Sequence, residues 1–158
     1  MCKSMKKLDK LEEIRLIFMH SSALTNRSLD NLQDVLGITS NLRKLEFALC
    51  SNMNIADCGL DDFSIKLKDL TSLEELALRF SSCSEITDEG VCAISSSLSK
   101  LVKLETCEVD FGACKRIAAR GIISLGGAMK SLPLLRNLKI NLMECRLIEE
   151  DGFRGLAD

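Results

Sequence analysis

The sequence has no tryptophan, no tyrosine, one proline and one histidine. Each scarcity closes off a class of function. Without Trp or Tyr there is little ring surface on which unpaired bases could stack, and the six Phe fall mostly at core positions. Formal net charge is −2 with the basic residues scattered, so the electrostatic footprint of a nucleic-acid binder is missing. A single His20 and the absence of any Cys-x-x-Cys leave a zinc site without its ordinary ligands. No apolar run nears the ~18 residues of a membrane span. The basic start, Met1 to Lys7, runs into Leu8-Asp-Lys-Leu11-Glu-Glu, with no apolar signal core after it. A cytoplasmic or nuclear address follows as the expectation, and with it eight cysteines held as reduced thiols.

Catalytic patterns are missing too. There is no P-loop, nucleophile elbow, His-Glu-x-x-His or dinucleotide fingerprint. His20 has Ser21 and Ser22 beside it but no third group to orient it, so it reads as a turn residue. No set of acid, base and nucleophile converges. The expectation is a protein that is not an enzyme, with no catalytic, cofactor or metal residues.

What is present is a repeat. The 158 residues, 46% hydrophobic and 28% charged, suit one soluble domain with a core. Leu11, Leu42, Leu73, Leu104 and Leu135 each open a segment of the form L-x-x-L-x-L or a close substitute, 31 residues apart. Alternation sends every second side chain to one face, so Leu45 and Phe47, or Leu76 and Leu78, point into the core together. Phe18, Leu49, Phe80, Phe111 and Leu142 continue the buried row. A turn follows, then an apolar residue at a fixed offset: Leu24, Ile55, Ile86, Ile117 or Ile148. Gly59, Gly90, Gly121 and Gly152, with Ser28 in the first repeat, stand four residues later. These small residues predict a close backbone approach where a helix begins. Thr87-Asp88-Glu89, Asp57 and Glu149-Glu150-Asp151 supply helix-start chemistry. Apolar spacings of three and four then predict helices, through Leu60, Phe63, Leu67 and Leu70, through Val91, Ile94, Leu98 and Leu101, and through Ile122, Leu125, Met129 and Leu132. Pro133 stands past the fourth helix, and Gly126-Gly127 reads as close helix packing. No unit buries its apolar face alone, so the units stack, with parallel strands and right-handed connections. The predicted fold class is α/β, a curved solenoid with strands on the concave face and helices on the convex face.

The L-x-x-L-x-L segments, the cysteines at one turn position (Cys83, Cys114, Cys145) and Ile86-Thr-Asp-Glu-Gly-Val91 resemble the leucine-rich repeat of the ribonuclease-inhibitor type. They are similar as well to the cysteine-containing repeats attached to F-box proteins and to long arrays of single-celled eukaryotes. The resemblance covers nearly the whole chain and implies a horseshoe and a structural role for the cysteine column. Two departures stand out: the period exceeds the usual ~20–29 residues, and Ser21 and Asn52 replace Cys in the first two repeats. The added length is expected in the turn and helix.

One domain over 1–158 is expected, with 1–10 ending a preceding helix, where Met1, Met5 and Leu8 hold helix positions. The fifth helix stops midway and polar caps are missing, which points to a longer array, a truncated product or ends that dock, including on themselves. For function, the outward strand residues form columns: Glu13, Lys44, Glu75, Thr106, Asn137; Arg15, Glu46, Ala77, Glu108, Lys139; and Ile17, Ala48, Arg79, Asp110, Asn141. The fourth repeat carries Glu105, Glu108 and Asp110 without a basic residue, beside Arg136 and Lys139 of the fifth. With Glu75 and Arg79 these form the candidate protein-binding site, an acidic stripe next to a basic one. The alternative is a solvated face whose charges serve solubility. The expected function is a non-catalytic interaction module or scaffold that binds a protein, with no nucleic acid and no membrane. Two alternatives are an architectural subunit, using an apolar outer face at Ile123, Gly127 and Ala128, and the substrate-recognition part of an F-box ubiquitin ligase.

Overall fold

A computed structural model describes residues 10–157 apart from 22, 38 and 40. Met1, Met5 and Leu8 therefore lie outside the described residues. Strands and helices alternate: β1 (Glu13–Met19), α1 (Asn26–Leu36), β2 (Lys44–Cys50), α2 (Asp57–Leu67), β3 (Glu75–Arg79), α3 (Asp88–Leu98), β4 (Thr106–Asp110), α4 (Ala119–Lys130), β5 (Asn137–Asn141) and α5 (Glu150–Ala157). The strands form one open parallel sheet in chain order, and each residue pairs with the one 31 positions on, as Leu45 does with Leu76 and Leu76 with Cys107. This is a repeat-built α/β fold whose helices pack on one side of the sheet.

Alternation produces the core. Leu45, Leu76 and Cys107 are no more than 2% exposed, and the helix stripe from Leu60 to Leu125 is sealed behind them. Phe47 stacks on Phe63 at a centroid distance of 4.9 Å, and Phe80 on Phe111 at 5.6 Å, so rings run through the middle repeats. The buried row does not extend to the ends. Phe18 is 38% exposed and Leu142 is only partly buried, because a terminal strand has a neighbour on one side only.

Each turn after a strand has the same geometry. His20, Ser51, Ser82, Ala113 and Glu144 all take positive φ between 53° and 62°, and none is glycine. The reversal aims their N–H groups along the sheet: His20 donates to Cys50 O at 3.1 Å, Ser51 to Ser81 O at 2.7 Å, Ser82 to Gly112 O at 2.7 Å and Ala113 to Met143 O at 2.6 Å. One residue after the positive-φ position of each of the last three turns, the cysteine column closes the loop. Cys83 Sγ donates to Leu49 O at 2.9 Å, Cys114 to Phe80 O at 3.1 Å and Cys145 to Phe111 O at 3.1 Å. Burial pushes the Cys83 thiol up to about 11 and the Cys114 thiol to about 12, which keeps them protonated as donors and poor nucleophiles. Asn52 substitutes by donating to Ser21 O at 2.8 Å.

The helix starts interlock in a way that differs from the expectation. Asp57 does not cap its own helix; its carboxylate accepts from Thr87 N at 2.8 Å, Thr87 Oγ1 at 2.7 Å and Gly90 N at 3.0 Å, all in the next repeat. Asp88 accepts likewise from Ala118 N at 2.7 Å, and Asn26 from Ala56 N at 2.9 Å. A Cβ on Gly90 would lie 2.6 Å from Asp57 Oδ1, so the small residue exists to admit the neighbour's carboxylate. Of α2, α3 and α4, α3 has a side-chain cap of its own, Thr87 Oγ1 accepting from Glu89 N at 3.2 Å. Of the Gly126-Gly127 pair, only Gly126 is crowded, against the Gly155 carbonyl of α5, while Gly127 faces open space.

Candidate functional site

The face of the sheet turned away from the helices carries no covering element among the described residues, and charged side chains line it. Strand register sets its side chains in the columns that alternation predicts, with Glu13 beside Lys44 and Glu75, and Arg15 beside Glu46 and Ala77. The pairing between columns was not visible from alternation. Arg79 leans across the small Ala77 and joins two strands at once: its Nε donates to Glu108 at 2.8 Å and its Nη1 to Glu46. Glu46 also faces Arg15 at 3.7 Å, Arg15 donates to Glu13 at 2.6 Å, and Lys139 donates to Glu108 at 3.2 Å. A chain of alternating charge thus crosses all five strands.

The electrostatics follow from those contacts. The hydrogen bond from Arg79 holds the Glu108 carboxyl below its ordinary value, with Lys139 adding to it, and Glu108 in turn raises Arg79. The bond to Glu75 raises Lys44. Between these side chains lies a shallow hollow of about 210 Å³ whose floor includes Leu45, Leu76 and Ala77 and whose walls include Arg15, Arg79 and Glu108.

The seven predicted site residues divide into three groups. Arg79, Glu108 and Lys139 meet in the network. Glu75 pairs with Lys44 at 2.7 Å, and Asp110 Oδ1 accepts from Gly112 N at 2.8 Å and Asn141 Nδ2 at 3.0 Å. Glu105 and Arg136 stand exposed at the residue before their strands, with no side-chain ion pair among the described residues. Within the acidic stripe set beside a basic one, Glu108 is paired from both sides, by Arg79 of the preceding strand and Lys139 of the following one. Glu46, Arg15 and Ala77 belong to the site as well. Their signal was the small residue between two acids in one column, with an arginine two positions along the same strand.

Apolar side chains are exposed as well, Ile17 and Met19 on β1 at 53% and 60% and Met53 in the turn after β2 at 74%. The helix side offers less. Ile123 is 48% exposed and Gly127 is open, but Ala128 is 6% exposed, so the expected apolar outer face of α4 shrinks by one residue. Among the described residues no cluster of three His, Cys, Asp or Glu could hold a metal ion, and no helix is long and apolar enough to cross a membrane.

No family model and no curated protein matches the sequence. Among solved structures, a protein described as leiomodin-1 actin-binding site 2 is similar in fold, with a TM-score of 0.60 and 18% identity over 98% of this chain and 84% of that one. A chain of the yeast Rad7 and Elc1 complex aligns at a TM-score of 0.49 and 18% identity over 84% of this chain and 32% of its own length.

Proposed function

We propose that the chain is a leucine-rich repeat solenoid of the ribonuclease-inhibitor type, a single domain of 31-residue repeats, and that it binds a protein partner through the strand face on its concave side without catalysis. The observation that carries this reading is the uncovered sheet face, on which charged side chains are locked in register by Arg79 and Glu108. A surface already ordered loses little side-chain freedom on binding, and paired charges oriented by their neighbours discriminate between partners. The exposed Glu105 and Arg136, which form no direct ion pair among the described residues, are placed to meet a partner's ions, and Ile17, Met19 and Met53 supply the apolar contact. The leiomodin-1 segment of similar fold is described as actin-binding; that likeness carries the architecture and leaves the partner of this chain to experiment.

The test is affinity capture with quantitative mass spectrometry, using the wild type, Glu105→Lys with Arg136→Glu, and Lys130→Glu on α4. A partner recovered stoichiometrically with the wild type and Lys130→Glu, and lost with the charge reversal at unchanged circular dichroism, is the expected result. Retention by the charge reversal with loss from Lys130→Glu moves the binding surface to the helices.

A further inference from the structure

The column that runs Arg15, Glu46, Ala77, Glu108, Lys139 alternates in charge except at its centre. Ala77 pairs in register with Glu46 on one side and Glu108 on the other, so a methyl group stands where the order of signs calls for a cation. On the same strand Glu75 lies two residues before it and Arg79 two residues after, both on this face. Neighbouring strands are about 4.8 Å apart, which sets Glu46 and Glu108 about 10 Å from each other at the backbone. The hollow of about 210 Å³ opens around Ala77, with Glu46, Glu75, Arg79 and Glu108 in its wall.

Arg79 answers the two glutamates only in part. Its Nε donates to Glu108 Oε1 and its Nη1 to Glu46 Oε1. Glu108 Oε2 accepts no hydrogen bond among the described residues, and Glu46 Oε2 faces Arg15 Nε at 3.7 Å, too far for one. The wall carries the carboxylates of Glu13, Glu46, Glu75 and Glu108 against the cations of Arg15, Lys44 and Arg79, four against three, which leaves one negative charge in excess. Glu46 and Glu108 are also the least exposed acids of the network, with side chains at 23% and 20% against 46% for Glu13 and 50% for Glu75. A charge placed between them is screened less by water than one at the rim.

We propose that the hollow over Ala77 receives a basic side chain of the partner protein, its aliphatic stem on the Ala77 methyl and its charged end between Glu46 and Glu108. This assignment rests on the reading of the strand face as the binding surface and adds what that surface selects. A cation at that point completes the alternating column and takes up the unspent oxygen of Glu108. Long basic side chains suit such a place, because they cover apolar surface with the stem and pair the charged head. An acidic side chain in the same space would stand between two carboxylates, and like charges directly opposite destabilise. A large apolar one would strip water from both carboxylates without replacing its hydrogen bonds.

The probes are two capped peptides, acetyl-Gly-Gly-Lys-Gly-Gly-amide and its glutamate counterpart, titrated at low salt into the full chain labelled with ¹⁵N and with ¹³C at the alanine methyls. Saturable NMR shifts at the Ala77 methyl and the Thr106 amide are expected with the lysine peptide and not with the glutamate one. Ala77→Lys fills the hollow from within and should weaken the lysine peptide about tenfold or more, read at the Thr106 amide. Ala77→Ser, close to alanine in size, should keep it. The comparison of the two peptides on the unmodified protein does not rest on any variant's folding. Equal shifts from both peptides, lysine-peptide shifts confined to residues outside the hollow, or unchanged binding by the Ala77→Lys protein would overturn the assignment. Affinity capture separates this failure from failure of the wider reading. A partner lost on the Glu105→Lys, Arg136→Glu reversal but retained by Ala77→Lys leaves the strand face as the binding surface and removes the basic side chain from its hollow, whereas retention by both removes both.

Discussion

Asp57 shows how one side chain serves a repeat other than its own. Its carboxylate satisfies Thr87 N, Thr87 Oγ1 and Gly90 N together, donors that a helix start would otherwise leave to water. Asp57→Ala should therefore destabilise the fold by about 2–3 kcal/mol in urea denaturation. The fourth repeat tests the converse, because Ala119 stands where Asn26, Asp57 and Asp88 stand in the first three. Ala119→Asp is expected to stabilise by about 1 kcal/mol by giving the fifth repeat its missing acceptor, and a lowered midpoint would show that the space near Gly152 is already full. Recurrence of the polar residue at 26, 57 and 88 was legible in the chain. Its recipient was not, since helix-start residues ordinarily act locally and only the stacking distance redirects them.

At the scale of the elements, β3 and β4 are fastened by the sheet ladder and by Arg79. The Glu108 carboxyl is held below its usual range by Arg79 first and Lys139 second. A lowered folded value contributes stability above the unfolded carboxylate value of about 4.3 and loses it as pH falls through the folded value. Arg79→Met should flatten the decline of stability below about pH 4.3 and cost about 1 kcal/mol at neutral pH, read from denaturant midpoints across an acid series. An unchanged acid limb would mean that other carboxylates govern it. Strand positions and their facing were readable from period-two alternation in all five repeats. The cross-column reach of Arg79 was hidden because it depends on Ala77 leaving room, a matter of side-chain volume and not of periodicity. The exposure of Leu138, which carries the core pattern in full, was hidden for another reason: a pattern shows which face is apolar and leaves open whether a neighbour arrives to cover it.

For the whole molecule, contacts run almost entirely between successive repeats, so cooperativity is transmitted along one axis. The middle repeats are sealed on both sides, with Leu76, Leu78, Cys107 and Val109 at no more than 2% exposure, whereas Phe18 and Phe153 are open at the ends. Amide hydrogen exchange should be slowest in β3 and β4 and fastest in α1 and α5, in a graded order from the centre outward. Uniform protection across all five strands would show a single all-or-none unit instead.

The acceptor–glycine junction also makes the protein a modular alphabet. Asn26 admits Gly59, Asp57 admits Gly90 and Asp88 admits Gly121 through one shared geometry, so any of these acceptors is compatible with any of these glycines. Excising or duplicating a block of 31 residues between equivalent positions would rejoin one matched pair to another, while a block of any other length would set an acceptor against a side chain. The length of such a chain can change in whole repeats and in nothing smaller.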